Sequence, residues 1–384
     1  MEETRKSRSE DPFDLVVFNG SALTMDADFT VIEKALIGSR RGRLVEIGSW
    51  PEERPLPAAA ELRDARGAIG LPGLGNAHTH RPIARFRGLA ADLPHDRWRN
   101  AHIVPTEARI MNPAAAIAGT RLACAELLLG GVTTCCDGYF LESHVAETVA
   151  ESGMRAVLGQ GVVDFPAPGV ADPGKNIQTA ADFVSAWQGR HPLITPSIFC
   201  HSPYTCSART LTQVKSTANA AGVLFQIHAA ETRAEAASIQ HREGVSPIIY
   251  LDGLGILDPR TLLVHAVWVD TEDIALMAQS GATVAHVPES NMKLASGICP
   301  VPELQAAGIR VGLGSDGCAS NNNQDLLGEM GSAARLQKVA HRDPARMGVA
   351  ALLKMATIDG ARAIGLDNEI GSLEVGKAAD VIVI

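Results

Sequence analysis

His78 and His80 in LPGLGNAHTH, His228 with Glu231 in QIHAAE, His265 in LLVHAV and Asp316 in GLGSDG are side chains that a hydrolytic metal site needs, and each set falls where a separate β-strand should end. Successive side chains of a strand alternate between faces, so the two histidines of an H-x-H triplet point the same way, ~7 Å apart along the strand, and can share one ion. His228 and Asp316 bring the set to three imidazoles and one carboxylate. With no thiolate offered, that set suits one divalent metal ion, Zn²⁺ or alternatively Fe²⁺, with a position left open for water. Coordination lowers the pKa of such a water toward neutrality, so the chemistry expected is hydrolysis. Glu231, three residues beyond His228, is placed to carry a proton between the attacking water and a substrate nitrogen or leaving group. His265 reads either as a fifth ligand or as the group that orients the water, and the second role is the one expected. A lone histidine is usually a satisfied core or surface residue; His95, His102, His144, His191, His241 and His341 take that reading.

Side chains so far apart in sequence need a frame that gathers strand ends. Eight short β-rich runs, AIGLPGLGNAH, VTTCCD, RAVLGQGVV, PLITPSIF, VLFQIHA, TLLVHAV, ATVAHV and IRVGLGS, alternate with segments of helical spacing. In NPAAAIAGTRLACAELLLGG, for example, Ala118, Leu122, Ala125 and Leu129 mark a candidate buried stripe, with Asn112 before Pro113 as a start and Gly130 with Gly131 as a stop. Strands alternating with helices specify parallel βαβ units, and eight of them predict an α/β fold, a (β/α)₈ TIM barrel over residues 71–365. In such barrels reactive residues come from the C-terminal ends of the strands, which is where the candidate groups lie. A doubly wound open sheet is the alternative, but GLPGLGNAHTH lacks the G-x-G-x-x-G turn leading into a helix. Residues 1–70 and 366–384 read as short strands and turns that join in one small β-sandwich domain. The segment Arg81 to Met111 is a long insertion after the first strand, where lids over barrel sites sit. The chain stops at Ile384 within an apolar run, so the C-terminus reads as incomplete.

Composition narrows the partners. A formal charge of −9 argues against a nucleic-acid or anionic-membrane surface and suits a small neutral or cationic substrate. The N-terminal MEETRKSRSEDPF has no apolar core of a secretory signal, and Arg121 and Glu126 interrupt the longest alanine-rich apolar stretch, which excludes a membrane span there. Seven cysteines, none in a C-x-x-C pair, argue against a disulfide framework and for a cytoplasmic enzyme. A homo-oligomer is expected. A zinc deaminase of the cytidine type needs H-x-E together with P-C-x-x-C, and that combined signature is absent.

The set PGLGNAHTH, HSPYT, HAAET, the sixth-strand histidine and GSDGCASNN, with PTEARI and NMKLASGICPV, resembles the amidohydrolase superfamily. Within it the closest resemblance is to the S-adenosylhomocysteine/5′-methylthioadenosine deaminases, from about residue 14 to the end. The resemblance implies a single metal on His78, His80, His228 and Asp316, proton transfer and water positioning by Glu231 and His265, ribose contact by Glu107 and purine contact by His201. Trp98 is placed with the substrate-binding residues. No strand-four lysine follows PLITPSIFCHS, so a bridging carbamate is not expected. The expected reaction is release of ammonia from an adenosine-type nucleoside. The alternatives are hydrolysis at another amino-substituted ring, such as guanine, a pterin or an s-triazine, and a non-catalytic scaffold. Three departures bear on the substrate. Gln160 stands where relatives using homocysteine conjugates tend to carry Arg, Glu289 replaces a small residue, and Gly138 replaces a bulkier one and should enlarge the pocket. On Gln160 and Glu289 rests the expectation that neutral-tailed nucleosides are preferred over S-adenosylhomocysteine.

Overall fold

The computed structural model describes residues 11–51 and 53–384. The charged N-terminal stretch read as lacking a secretory signal therefore lies almost wholly outside the described residues. The chain divides into two compact units, one ending at Gly73 and resuming over Asn368–Ile384, the other Leu74–Asp367.

The first unit is built on one six-stranded sheet. Its strands are β1 (Phe13–Leu23), β2 (Val31–Arg40), β3 (Arg43–Ser49), β4 (Ala59–Asp64), β5 (Ile69–Pro72) and, from the chain end, β14 (Val381–Val383). The order is β14-β5-β1-β2-β3 with β4 also paired to β1. Apolar side chains gather in two clusters, one with Val17, Ile37, Leu44 and Leu373, the other with Phe13, Val16, Leu36 and Trp50.

The second unit holds eight parallel strands in sequence order: β6 (Leu74–Thr79), β7 (Val132–Tyr139), β8 (Arg155–Val162), β9 (Ile194–Cys200), β10 (Phe225–Ala229), β11 (Thr261–His265), β12 (Thr283–His286) and β13 (Val311–Leu313). The eight runs of the sequence reading are these strands. The first run was drawn too long: Gly73 separates β5, which pairs with β14, from β6, which pairs with β7. Closure of the barrel occurs beside the candidate metal ligands, where Ser315 N and Asp316 N both donate to His78 O at 3.1 and 2.9 Å and Thr79 bridges to Asp316.

The helix Pro113–Leu129 begins and ends where its caps predict: Asn112 accepts from Ala115 N at 3.0 Å, Pro113 needs no donor, and Gly130 follows. Its buried stripe is not the expected one. Ala115, Ala116, Gly119, Thr120, Ala123, Cys124 and Leu127 face inward, whereas Leu122 and Leu129 are exposed. Close approach selects the small residues, since a Cβ on Gly119 would stand 2.1 Å from Pro82 O. All seven cysteines are free and buried, and no described helix is long and apolar enough to cross a membrane.

Candidate metal centre and active site

The imidazoles of His78, His80 and His228 converge at the C-terminal mouth of the barrel with their ligand atoms within 4.8 Å of one another. His78 Nε2 lies 3.2 Å from His228 Nε2, and Asp316 Oδ1 lies 3.3 Å from His80 Nε2 and 3.7 Å from His78 Nε2. Metal–nitrogen bonds of ~2.0–2.1 Å in a tetrahedron put ligand atoms roughly 3.3–3.4 Å apart, which is the spacing seen here. Burial pushes His78 and His228 well below the ordinary histidine value, so both rings are neutral, the form in which imidazole ligates a metal. The donor set fits a divalent metal ion.

Supporting contacts fix each ligand. His80 Nδ1 donates to Gly138 O at 2.6 Å, which leaves Nε2 free for a metal. Asp316 Oδ2 accepts from Ser290 Oγ at 2.6 Å and Ser320 Oγ at 2.8 Å, and Oδ1 accepts from Gly317 N at 2.7 Å. Burial alone would raise the Asp316 carboxyl, but His80, His78, His265 and the Ser290 hydroxyl outweigh it and hold it well below the usual carboxylate range. Under the site, fully buried Arg81 pairs with Asp137, the residue preceding Gly138, at 3.7 Å. Ala230, His265, Ala266 and Asp316, all at strand ends, hold left-handed φ of 52°, 77°, 47° and 59°. Non-glycine residues reach such values at a cost, and these cluster where the side chains are aimed at one point.

Glu231 stands between two imidazoles. Its Oε1 is 3.4 Å from His95 Nε2 and its Oε2 is 3.9 Å from His265 Nε2. His265 is held by a hydrogen bond from Nδ1 to Asn291 Oδ1 at 2.9 Å, and the Glu231 backbone by Glu235, whose carboxylate accepts from Ala230 N and Glu231 N at 3.0 and 2.8 Å. Burial, and next the Glu231 charge, push Glu235 up to about 7. His95, read as an ordinary surface or core residue, is thus part of the site: it comes from the insertion after β6 and packs its ring 5.8 Å from Trp98.

His80, His228, Glu231, His265 and Asp316 line one cavity open to solvent, with Trp98, Glu107, Tyr139, Phe199 and His201 in its walls. Glu107 accepts from the Tyr139 hydroxyl at 2.5 Å, and burial raises its carboxyl. His201 Nδ1 is engaged by Thr205 at 3.0 Å and Ser202 at 3.2 Å, and burial pushes it well below the ordinary value, so it faces the cavity as a neutral ring. The Trp98 indole Nε1 is buried with no partner among the described residues.

Three expectations are corrected. Gln160 is not among the residues lining the cavity; its Oε1 accepts from Glu142 N at 3.2 Å. Glu289 is also turned away, its carboxylate accepting from Asn323 Nδ2 at 2.9 Å and Ser332 Oγ at 2.8 Å. Gly138 does not enlarge the pocket, because a Cβ there would meet the Phe199 ring at 2.6 Å: the ring already occupies the space. Sequence reasoning also missed Phe199, Tyr139 and Arg99, which carry no spacing signal, and His95, whose spacing of three from Trp98 on a helical turn was a usable one.

The metal-ligand geometry at the mouth of a parallel eight-stranded barrel defines a class of metal-dependent hydrolase, and residues 69–384 match the model of the amidohydrolase family. The chain belongs to that family. It is 42% identical over 97% of its length to the 5-methylthioadenosine/S-adenosylhomocysteine deaminase of Syntrophobacter fumaroxidans, covering 84% of that protein. It is 38% identical over 97% of its length to the 5′-deoxyadenosine deaminase of Methanosarcina acetivorans, covering 84% of it. Among solved structures, an adenosine deaminase from Xanthomonas campestris with bound zinc superposes with a TM-score of 0.94 at 35% identity, over 97% of this chain and 85% of that one.

Proposed function

We propose that the chain is an aminohydrolase that removes the ring amine of an adenosine-type nucleoside as ammonia, with 5′-methylthioadenosine, S-adenosylhomocysteine and adenosine as candidate substrates. The observation that carries this reading is the convergence of His78, His80, His228 and Asp316 beside Glu231 at the floor of a solvent-open cavity whose walls carry Trp98, Glu107 and His201. The names of the similar proteins support it, and the zinc in the Xanthomonas structure favours zinc over iron.

A divalent ion held by the four ligands supplies Lewis acidity that makes water nucleophilic at neutral pH. Glu231 takes a proton from the attacking water and delivers it to the ring nitrogen next to the amine, and the second water proton leaves with the amine as ammonia. His265 orients the water, its own ring held by Asn291. Glu107 accepts from the two ribose hydroxyls, and His201 Nε2, with no protein partner among the described residues, meets a purine nitrogen. Trp98 Nε1–H adds a donor with no other partner. The seven free thiols favour the cytoplasm, and Leu122, Leu128 and Leu129, exposed along one helix, favour a homo-oligomer.

Ammonia release across adenosine derivatives, guanine, pterins and s-triazines tests the reading. Turnover is expected for the adenosines; turnover confined to another ring would overturn it.

A further inference from the structure

We propose that Arg99 is a specificity-determining residue that binds an anionic group at the tail end of the substrate, so that the preferred substrates are adenosine derivatives whose 5′ substituent carries a carboxylate or phosphate. The inference rests on the deaminase reading and adds to it the chemical class of the tail. The guanidinium whose absence from position 160 pointed to neutral tails is supplied by a different element, the insertion after β6.

Arg99 is the one lysine or arginine among the described residues lining the cavity. It lies one turn beyond His95, in the helical run Trp98–Ile103, so the insertion presents both side chains to the same space. Its guanidinium carbon is 5.8 Å from the ring centroids of both Phe165 and Tyr204. Two aromatic faces fix the plane of a guanidinium without consuming its N–H donors. Of its five donors, one is taken, by the neighbouring Asn100 Oδ1 at 3.0 Å, and no carboxylate forms an ion pair with it among the described residues.

A guanidinium stays charged at physiological pH, and a half-buried one without a counter-ion favours an anionic ligand that offers two oxygens in its plane. The position says which end of the substrate that is. Arg99 is close enough for its charge to act on Glu107 and on His201, the residues assigned to ribose and purine, and it shares the wall with Phe165 and Tyr204 rather than with the metal ligands. With Glu107 holding the 2′ and 3′ hydroxyls, the 5′ substituent is the part left to reach the guanidinium. Glu107 is near enough for the two charges to act on each other but forms no direct ion pair with Arg99, which leaves the guanidinium donors open to the tail.

The test compares kcat/KM for S-adenosylhomocysteine and adenosine 5′-monophosphate with that for 5′-methylthioadenosine and adenosine, in the metal-loaded wild type, Arg99→Gln and Arg99→Lys. The expected result is that one anionic compound is favoured in the wild type. Arg99→Gln then loses about tenfold or more on that compound, beyond any loss on the neutral pair and mainly through KM, and Arg99→Lys recovers part of it. Which anionic compound responds separates a carboxylate tail from a phosphate. Equal losses on neutral and anionic substrates, or no Arg99-dependent difference, overturn the proposal while leaving the deaminase reading intact. Failure of the wild type to turn over any of the four overturns both.

Discussion

Replacing Gly138 by alanine tests whether the metal centre depends on the glycines that make room for Phe199. The added Cβ would stand 2.6, 2.8 and 2.9 Å from Cγ, Cδ2 and Cδ1 of that ring, against ~3.5–4.0 Å for ordinary carbon contact, so something must move by roughly 1 Å. The ring has little freedom to yield. On the adjacent strand a Cβ at Gly159 would also meet Phe199, at 3.0 Å from its Cβ, and the other side of the ring packs against His228, His80 and His78 at centroid distances of 5.0, 5.7 and 6.1 Å. Overpacking of this kind costs about 1–3 kcal/mol. If half of that falls on the imidazoles, the metal dissociation constant rises about 2-fold to 12-fold, and up to ~100-fold if nearly all of it does, because each 1.4 kcal/mol is a factor of ten. The remainder appears as a lower melting temperature. Competition with a chelator of known affinity measures the first, and thermal unfolding of the metal-free protein the second. A Gly138→Ala protein with metal affinity within about twofold of wild type and an unchanged melting temperature would refute the reasoning.

Glu231→Gln keeps the full metal content and loses about 10²–10⁴-fold in kcat, measured by ammonia release beside elemental analysis; a loss under about tenfold removes Glu231 from proton transfer. Ser290→Ala combined with Ser320→Ala strips the Asp316 Oδ2 of both donors, and metal affinity falls about 10–100-fold in chelator competition, whereas unchanged affinity shows that Gly317 N alone orients the carboxylate. Glu235 has a folded value of about 7 against 4.5 for an ordinary glutamate, so its share of stability is greatest below pH 4.5 and is lost as pH rises through 7, by about 3 kcal/mol. Denaturant unfolding of wild type and Glu235→Gln at pH 5 and pH 8 checks this: the wild type should lose more stability across the interval, and parallel losses contradict the assignment.

The convergence of the candidate metal ligands was legible because strand periodicity and barrel topology leave few ways to place H-x-H, a later histidine and an aspartate at strand ends, and His78, His80, His228 and Asp316 meet there. Gln160 and Glu289 were misplaced for different reasons. Gln160 lies near the end of β8, where Glu142 N holds its side-chain oxygen, a contact that strand parity does not announce. Glu289 sits in the short helix Pro288–Lys293, whose rotation depends on Asn323 and Ser332 more than 30 residues away. Arg99 was hidden in the insertion, where no regular period says which side chains face the cavity, and His95 offered only its spacing of three from Trp98. The stripe on Pro113–Leu129 failed because apolar spacing was weighed above size, while the packing against Pro82 admits only small residues.

The most direct measurement is a metal titration of the metal-free protein, read as ammonia released from 5′-methylthioadenosine. Activity absent without metal, rising in proportion to added Zn²⁺ and reaching its plateau at one equivalent per chain is the predicted result. Ammonia release that persists in the metal-free protein, or a plateau that requires two tightly held ions, would contradict a single hydrolytic centre on His78, His80, His228 and Asp316.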